Sequence, residues 1–210
     1  MSQAALRVTV YVDGFNLYYG ALKGTPYRWL DIGALCSKLL PAYSIHRIRY
    51  FTAIVKPRPD NPDQAQRQLT YIRALQAATP NLTVHRGEFL QTQVRARLVN
   101  PPPNTHLVYK TEEKGSDVNI ASYILVDAFD NDYDVAVIVS NDSDLATPIR
   151  LTRSRFGKTV IVLNPHPKPS VTLQQVASQV RPIRAGVLRV SQLPPTLTDA
   201  QGTITKPVSW

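Results

Sequence analysis

The chain has 210 residues, of which 43% are hydrophobic, so it is long and apolar enough to bury a core and is not disordered throughout. Its net charge of +9, from 24 Lys and Arg against 15 Asp and Glu, favours an anionic partner, most often a nucleic acid, although a basic surface that binds nothing is the alternative. The single cysteine, Cys36, excludes a disulfide framework and a cysteine zinc site within the chain.

The first half of the chain is predicted to alternate strands with helices. The β-branched run at residues 6–12 predicts a strand, and Asp13-Gly14-Phe15-Asn16 marks the turn at its carboxyl end. Apolar residues followed by a proline predict two helices. These helices span residues 32–40 and 63–78, and the strands that follow them span residues 46–55 and 82–90.

The second half continues this alternation after an interruption. Residues 95–110 include three consecutive prolines and are predicted to form an irregular exposed loop. An apolar stripe predicts a helix at 117–129, and a solid apolar run predicts a strand at 135–139 that is buried on both faces. The remaining elements are a helix at 145–156 capped by Gly157, a strand at 159–163, a helix at 171–180 and a strand at 186–190.

Strands that alternate with helices imply right-handed βαβ crossovers and a mostly parallel sheet, which is the pattern of an α/β fold. Residues 191–210 are rich in proline and show little periodicity. We therefore predict one domain over residues 1–190 and a proline-rich tail over residues 191–210.

Acidic side chains fall where the predicted strands end and a helix begins. In an open parallel sheet, the carboxyl ends of the strands meet in one crevice, where ligands bind. We therefore expect acids that are distant in sequence to share one site. They are Asp13 after the first strand, Asp117 at the start of a helix, and Asp142 and Asp144 after the buried strand at 135–139.

Carboxylates that share a crevice repel one another, by roughly 3 kcal/mol for two charges about 5 Å apart at an effective dielectric near 20. Either some of them are protonated, or a cation lies among them. The donors here are oxygen atoms, without a cluster of cysteine or histidine, and such donors suit Mg²⁺ or Mn²⁺. The pattern therefore favours a site for a hard divalent ion.

Each acid taken singly has a structural alternative, because aspartate is a good helix N-cap and stabilises the helix dipole. Asp13 could cap the helix that follows it, with Asn16 serving the same end, and Asp117 could cap its own helix. Asp142 and Asp144 could cap the helix at 145–156. Capping explains four acids at one sheet edge less well than a shared site does.

Three segments resemble a known family: VYVDGFNLYYG, EEKGSDVNIASYILVDAF and VAVIVSNDSDLATPIR. They are similar to the NYN domains, the LabA-like branch of the PIN-like nuclease superfamily, and the match runs in the family's order from residue 7 to about residue 190. The resemblance implies a PIN-like three-layer α/β/α sandwich with a central, mostly parallel sheet. It also implies metal-dependent cleavage of RNA. Neither residues 91–110 nor the tail carries a family motif.

The resemblance also implies roles for particular residues. Asp13, Asp117 and Asp142 match the family's acidic metal site, and Asp144 matches its usual fourth acid. Asn16 matches the asparagine that orients the first acid or the substrate. Mg²⁺ or Mn²⁺ is therefore the expected cofactor.

Basic and aromatic residues supply candidate RNA contacts. Lys114, three residues before Asp117, could reach a phosphate, and Arg150 and Arg153 on one helix face could follow a phosphate backbone. Tyr18 and Tyr19 could stack on an unpaired base, although core packing of the first helix explains them as well.

The resulting prediction is a metal-dependent endoribonuclease that cleaves single-stranded or looped RNA. Two alternatives are a catalytically silent RNA-binding or regulatory module that keeps the acids for structure, and a metal-dependent phosphatase. An aspartyl-phosphate phosphatase is disfavoured because Phe15, and not an aspartate, lies two residues after Asp13. The chain start lacks a signal-peptide pattern and no apolar run approaches about 20 residues, so we expect a cytoplasmic protein without a membrane span. A homo-oligomer is compatible with the sequence.

Overall fold

The computed structural model describes residues 6–210 and places seven strands in one central sheet. In chain order they are β1 Arg7–Asp13, β2 Ser44–Ala53, β3 Leu82–Arg97, β4 Thr105–Lys114, β5 Val135–Val139, β6 Thr159–Asn164 and β7 Gln179–Pro182. Across the sheet the order is β4-β3-β2-β1-β5-β6-β7. Every neighbouring pair is parallel except β3 and β4, which are antiparallel.

Helices cover both faces of this sheet. They are α1 Gly14–Leu17, which continues as a π-helical turn over Tyr18–Leu22, then α2 Ile32–Leu39, α3 Gln64–Ala78, α4 Ser116–Phe129, α5 Ala146–Phe156, α6 Val171–Val176 and α7 Ala185–Arg189. None of the helices within residues 6–210 is long and apolar enough to cross a membrane.

The alternation of side chains along β1 explains the two cores. Val8, Val10 and Val12 pack with α2 and α3 on one face, whereas Tyr11 packs with α4 on the other. The predicted three-layer α/β/α sandwich with a mostly parallel sheet is thereby confirmed. By the same alternation, Asp13 at the end of β1 falls on the α4 face.

Most predicted elements lie within two residues of their observed bounds, and Gly157 ends α5 with a left-handed φ of +64°, as expected. The predicted loop at residues 95–110 is wrong. There β3 continues to Arg97 and β4 begins at Thr105, so the two strands form a long antiparallel ribbon. This ribbon is mostly exposed. Backbone hydrogen bonds between the two strands stabilise the ribbon. Because neither face of the ribbon is buried, its sequence shows little alternation of hydrophobic and polar residues.

Two further predictions near the carboxyl end are wrong. The helix predicted at 171–180 ends at Val176, and strand β7 begins three residues later. The strand predicted at 186–190 is the short helix α7. Short apolar runs do not distinguish a buried helix from a strand, because fewer than two helical turns show no clear period.

The segment after residue 190 packs against α3. Strands β8 Thr196–Asp199 and β9 Gly202–Thr205 pair as an antiparallel hairpin, and the Arg73 guanidinium donates to both carboxylate oxygens of Asp199 at 2.7 and 2.6 Å. Beyond the hairpin, Trp210 contacts the rings of Trp29 and Tyr71. The segment is thus held by packing and an ion pair, while the division of the chain at residue 190 stays a prediction.

Candidate functional site

Asp13 lies at the carboxyl end of β1 and is 5% exposed. Its Oδ1 accepts a hydrogen bond from the backbone N–H of Asn16 at 2.9 Å, and its Oδ2 accepts one from the Ser140 hydroxyl at 3.1 Å. These bonds hold the carboxylate while α1 begins at the next residue. Asp13 therefore caps a helix and also presents a buried acid at the sheet edge.

Gly14 allows α1 to begin this close to the sheet. A Cβ atom at residue 14 would lie 2.7 Å from the Tyr50 hydroxyl oxygen and 2.8 Å from the Phe51 carbonyl oxygen. Both distances are shorter than a side chain tolerates, so the Asp-Gly pair at the end of β1 has a packing reason.

Ser140 joins the ends of β1 and β5. The pairing of Val12 with Val139 places Asp13 and Ser140 side by side at the ends of their strands. The Ser140 hydroxyl donates to Asp13 and accepts from the backbone N–H of Asp142 at 3.1 Å. The role of Ser140 depends on the register of β5 against β1, so the sequence alone does not indicate it.

The other acids lie around Asp13. Asp142 caps a 3-10 turn over Ser143–Leu145, and its Oδ1 accepts from the backbone N–H of Asp144 at 2.9 Å. Asp117 lies within the first turn of α4, after an N-cap at Gly115, so it is not itself the cap. Capping therefore accounts for Asp13 and Asp142 but not for Asp117 or Asp144.

The pKa values show that these carboxylates share one electrostatic environment. The pKa of Asp13 is raised to about 6 in total: burial is the largest cause, the hydrogen bonds from Asn16 and Ser140 oppose it, and the charges of Asp117 and Asp142 add to it. The pKa of Asp117 is also raised, by burial first and then by Asp142, Glu113 and Asp144. Asp13 thus lies within electrostatic range of Asp117 and Asp142, and Asp117 lies within range of Asp142 and Asp144.

Glu113 is a fifth acid at this edge. It lies next to the end of β4, and its Oε1 accepts from the backbone N–H and the hydroxyl of Ser116 at 3.2 and 2.8 Å. It therefore anchors the start of α4, where Asp117 lies. No strand is predicted between residues 90 and 135, so the sequence alone does not place Glu113 at this edge of the sheet.

The donors at this edge fit a hydrated hard cation better than a fully protein-ligated one. Within residues 6–210, no three His, Cys, Asp or Glu side chains lie close enough together to ligate one ion directly. Mg²⁺ is commonly held by one or two carboxylates and keeps several waters, and the donors here are all carboxylate oxygens. Asp13, Asp117 and Asp142 are the residues that would hold such an ion, in part through its bound waters.

The predicted substrate-binding residues do not all lie beside the acids. The Asn16 side-chain oxygen accepts from the backbone N–H of Asn141 at 2.9 Å and so fixes α1 to the loop after β5. Lys114 pairs with Glu112 at 3.1 Å. On α5, Arg150 donates to the Thr147 hydroxyl at 3.3 Å, and Arg153 donates to the Val176 carbonyl at 2.6 Å. Asn16 thus adjoins the acids, whereas Arg153 is engaged at the end of α6.

A cleft of about 610 Å³ adjoins the acids on the side of α1. Gly14 and Phe15, which directly follow Asp13, line it together with Glu113. Tyr18 and Tyr19 line it as well; Tyr18 packs in part against the core, and Tyr19 is 58% exposed. Core packing therefore accounts for Tyr18 better than for Tyr19.

Comparisons with known proteins identify relatives. A family model described as the NYN domain matches residues 7–184. The 6-hydroxy-3-succinoylpyridine 3-monooxygenase HspA of Pseudomonas putida is 31% identical over an alignment of 236 residues, which covers 98% of this chain and 75% of that protein. The crystal structure of a protein of unknown function from Vibrio parahaemolyticus has a TM-score of 0.56 at 19% identity and covers 88% of this chain and 97% of that one. The structural likeness supports the fold alone.

Proposed function

The chain belongs to the NYN domain family, within the PIN-like nuclease superfamily, and we propose that it is a metal-dependent endoribonuclease for single-stranded or looped RNA. The observation that carries this proposal is the shared environment of Asp13, Asp117, Asp142 and Asp144 at the carboxyl edge of β1 and β5. We further propose that the chain belongs to the LabA-like branch and acts in the cytoplasm.

In this proposal the acids have two roles, which are binding of the metal ion and acceptance of a proton. Asp13, Asp117 and Asp142 would hold the cation, in part through its bound waters, and the ion would supply a water of lowered pKa and positive charge beside the phosphate. Asp144, which is exposed, accepts the proton of the attacking water. Ser140 and Asn16 act as positioning residues, because the Ser140 hydroxyl and the Asn16 backbone N–H both bond to Asp13.

Basic residues near the acids bind the substrate. Lys114 lies next to Glu113 and is 55% exposed in its side chain, so it can exchange Glu112 for a phosphate. Arg150 and Arg153 extend the basic surface along α5 away from the acids. We propose that Arg153 contributes least, because its guanidinium already bonds to the end of α6.

The test compares cleavage of labelled single-stranded RNA and DNA of one sequence, in Mn²⁺ and in EDTA. Wild type should cleave the RNA only in Mn²⁺, and Asp13→Asn should bind RNA without cleaving it. Asp130→Asn is the matched control, because Asp130 is exposed at the end of α4 and outside the acid cluster. Cleavage that persists in Asp13→Asn would mean that another nuclease is responsible.

A silent RNA-binding module is a second candidate. It is favoured by the finding that, over residues 6–210, no three acids are close enough to ligate an ion directly. Binding of RNA by wild type without cleavage in Mn²⁺ or Mg²⁺ would support this module against the nuclease. A phosphatase would instead release phosphate from p-nitrophenyl phosphate in the same buffers.

The name of the Pseudomonas putida relative suggests a reaction of another class, because it describes oxidation of a pyridine by that protein. The high coverage of this chain makes a small-molecule oxidation a third candidate. Incubation in air with 6-hydroxy-3-succinoylpyridine and a reductant, so that O₂ supplies the inserted oxygen atom, followed by mass spectrometry, tests it. Conversion of the pyridine without RNA cleavage would replace the nuclease proposal.

A further inference from the structure

The cleft beside the acids is strongly basic. Among residues 6–210, five cationic side chains line it, and Glu113 is the one acid that does so. Glu113 is already bonded to Ser116. In the described part of the chain, none of the five cations has a carboxylate within 4.0 Å, whereas other basic residues, such as Arg49 and Arg73, do. The five are Lys23, Arg28, Lys56, Arg58 and Arg67.

Two buried donors in the cleft have no partner among the described residues. They are the Nε atom of Arg28 and the indole Nε1 atom of Trp210, and both residues line the cleft. Buried donors are normally bonded, and most buried polar groups in proteins find an acceptor. Both atoms expose less than 1 Å² of surface, so a ligand would reach them only if the two side chains moved. A phosphate carries several acceptor oxygens, and at the guanidinium of Arg28 it would supply the missing acceptor after such a movement.

Aromatic rings lie beside these cations. Phe15 stacks with Tyr19 at a centroid distance of 6.5 Å and meets Phe89 edge-on at 5.5 Å. The Lys23 ammonium lies 5.0 Å from the centre of the Tyr19 ring. Because Tyr19 is 58% exposed, part of its ring is free to contact a planar group. Unpaired bases stack on such rings with little regard to sequence.

We propose that this cleft binds one unpaired nucleotide of the RNA next to the point of cleavage, with its phosphate at Arg28 and its base at Tyr19. The inference rests on the proposed function, because it places the RNA strand across Gly14 and Phe15, which directly follow Asp13. A volume of about 610 Å³ lies in the range of pockets that enclose a small ligand and is too small for a duplex. A purely apolar ligand would leave the five cations without an anionic partner.

The first experiment measures binding in EDTA, where cleavage does not interfere. The probe is a fluorescein-labelled six-nucleotide single-stranded RNA, followed by anisotropy. Arg28→Met should weaken binding at least about tenfold, because a hydrogen bond with a charged donor is lost. Arg155→Met is the matched control, since Arg155 is exposed in the last turn of α5 and does not line the cleft. Equal affinity of the two variants would overturn the proposal.

The second experiment separates stacking from charge. Tyr19→Leu should weaken binding of the RNA about five- to hundredfold, and Tyr19→Phe, which keeps the ring, should bind as wild type does. Melting temperatures of all variants check the fold; Arg28→Met should melt no lower than wild type, because its buried Nε has no partner to lose. If Tyr19→Leu binds as tightly as Tyr19→Phe, no base stacks there and the proposal fails.

Competition by small ligands distinguishes a strand from a free nucleotide. Adenosine monophosphate should displace the labelled RNA from wild type, and adenosine or inorganic phosphate alone should do so much less well. Displacement by duplex RNA at the same concentration, or tight binding of the monophosphate without binding of the strand, would overturn the assignment to an unpaired nucleotide of RNA. If binding follows these expectations but wild type does not cleave RNA in Mn²⁺, the proposal that the cleft binds a nucleotide is supported and the nuclease proposal fails.

Discussion

Replacement of Asp13 by asparagine tests the acid cluster directly, through the stability of the metal-free protein. The carboxylate of Asp13 is 5% exposed, and its pKa lies at about 6 against 3.8 in an unfolded chain, mainly because of burial. A difference of about two pKa units corresponds to roughly 3 kcal/mol of folding free energy. Asparagine has nearly the same shape and no charge, and its amide can bond to Ser140.

The sign of the effect follows from linkage. Because the folded pKa is raised, the wild-type protein has the full contribution of this group below pH 3.8 and loses it as the pH rises through about 6. Asp13→Asn has no such loss. In EDTA the variant should therefore be more stable than wild type above pH 6, by up to roughly 3 kcal/mol, and the difference should vanish near pH 4.

Urea unfolding at pH 4 and pH 7.5, with and without Mn²⁺, measures this difference. Mn²⁺ should restore stability to wild type and have much less effect on Asp13→Asn, since the charge that attracts the ion is gone. A variant that is less stable than wild type at both pH values in EDTA would refute the reasoning. In that case the hydrogen bonds of Asp13 to Asn16 and Ser140 matter more than its desolvation.

Other expectations follow from the same structure. Mn²⁺ at 100 times its dissociation constant should add about 2.7 kcal/mol to the unfolding free energy of wild type. A melting temperature that does not change in saturating Mn²⁺ would exclude the metal site. Asp127→Ala should lower the unfolding free energy by about 3–5 kcal/mol, because it leaves the buried Arg49 guanidinium without its two carboxylate bonds at 2.8 and 2.7 Å. Asp134→Ala, which breaks an exposed ion pair, should cost at most about 1 kcal/mol in the same denaturation. Arg150→Ala with Arg153→Ala should flatten the salt dependence of RNA binding and leave Mn²⁺ affinity unchanged; an unaltered slope in a salt titration would exclude both arginines from the phosphate path.

The central sheet could be predicted because its core strands are buried on both faces. Residues 135–139 are apolar at every position, and each of them is buried between two helical layers. The short parallel strands then fix where Asp13 and Asp142 lie, because the carboxyl ends of neighbouring strands meet at one edge. The acids were thus predictable from the order of the elements before any contact between them was known.

The features that could not be predicted depend on contacts between distant segments. The ribbon of β3 and β4 has no buried face, so its strands are defined by their mutual backbone pairing. Glu113 reaches Ser116 only because that ribbon turns back toward α4. Ser140 takes its role from the register of β5 against β1, which no local pattern of residues reports.

The net charge of +9 also has a spatial arrangement that composition does not reveal. Acids collect beyond the ends of β1 and β5, and unpaired cations collect in the cleft that begins at Gly14. Without a cation the acids repel a phosphate, while the cleft attracts one. An RNA strand could therefore bind through the cleft in EDTA, and approach of its next phosphate to Asp13 would require the metal ion. Binding and cleavage should accordingly separate in solution: mutations in the cleft should weaken binding with or without metal, and mutations of the acids should stop cleavage without weakening binding in EDTA.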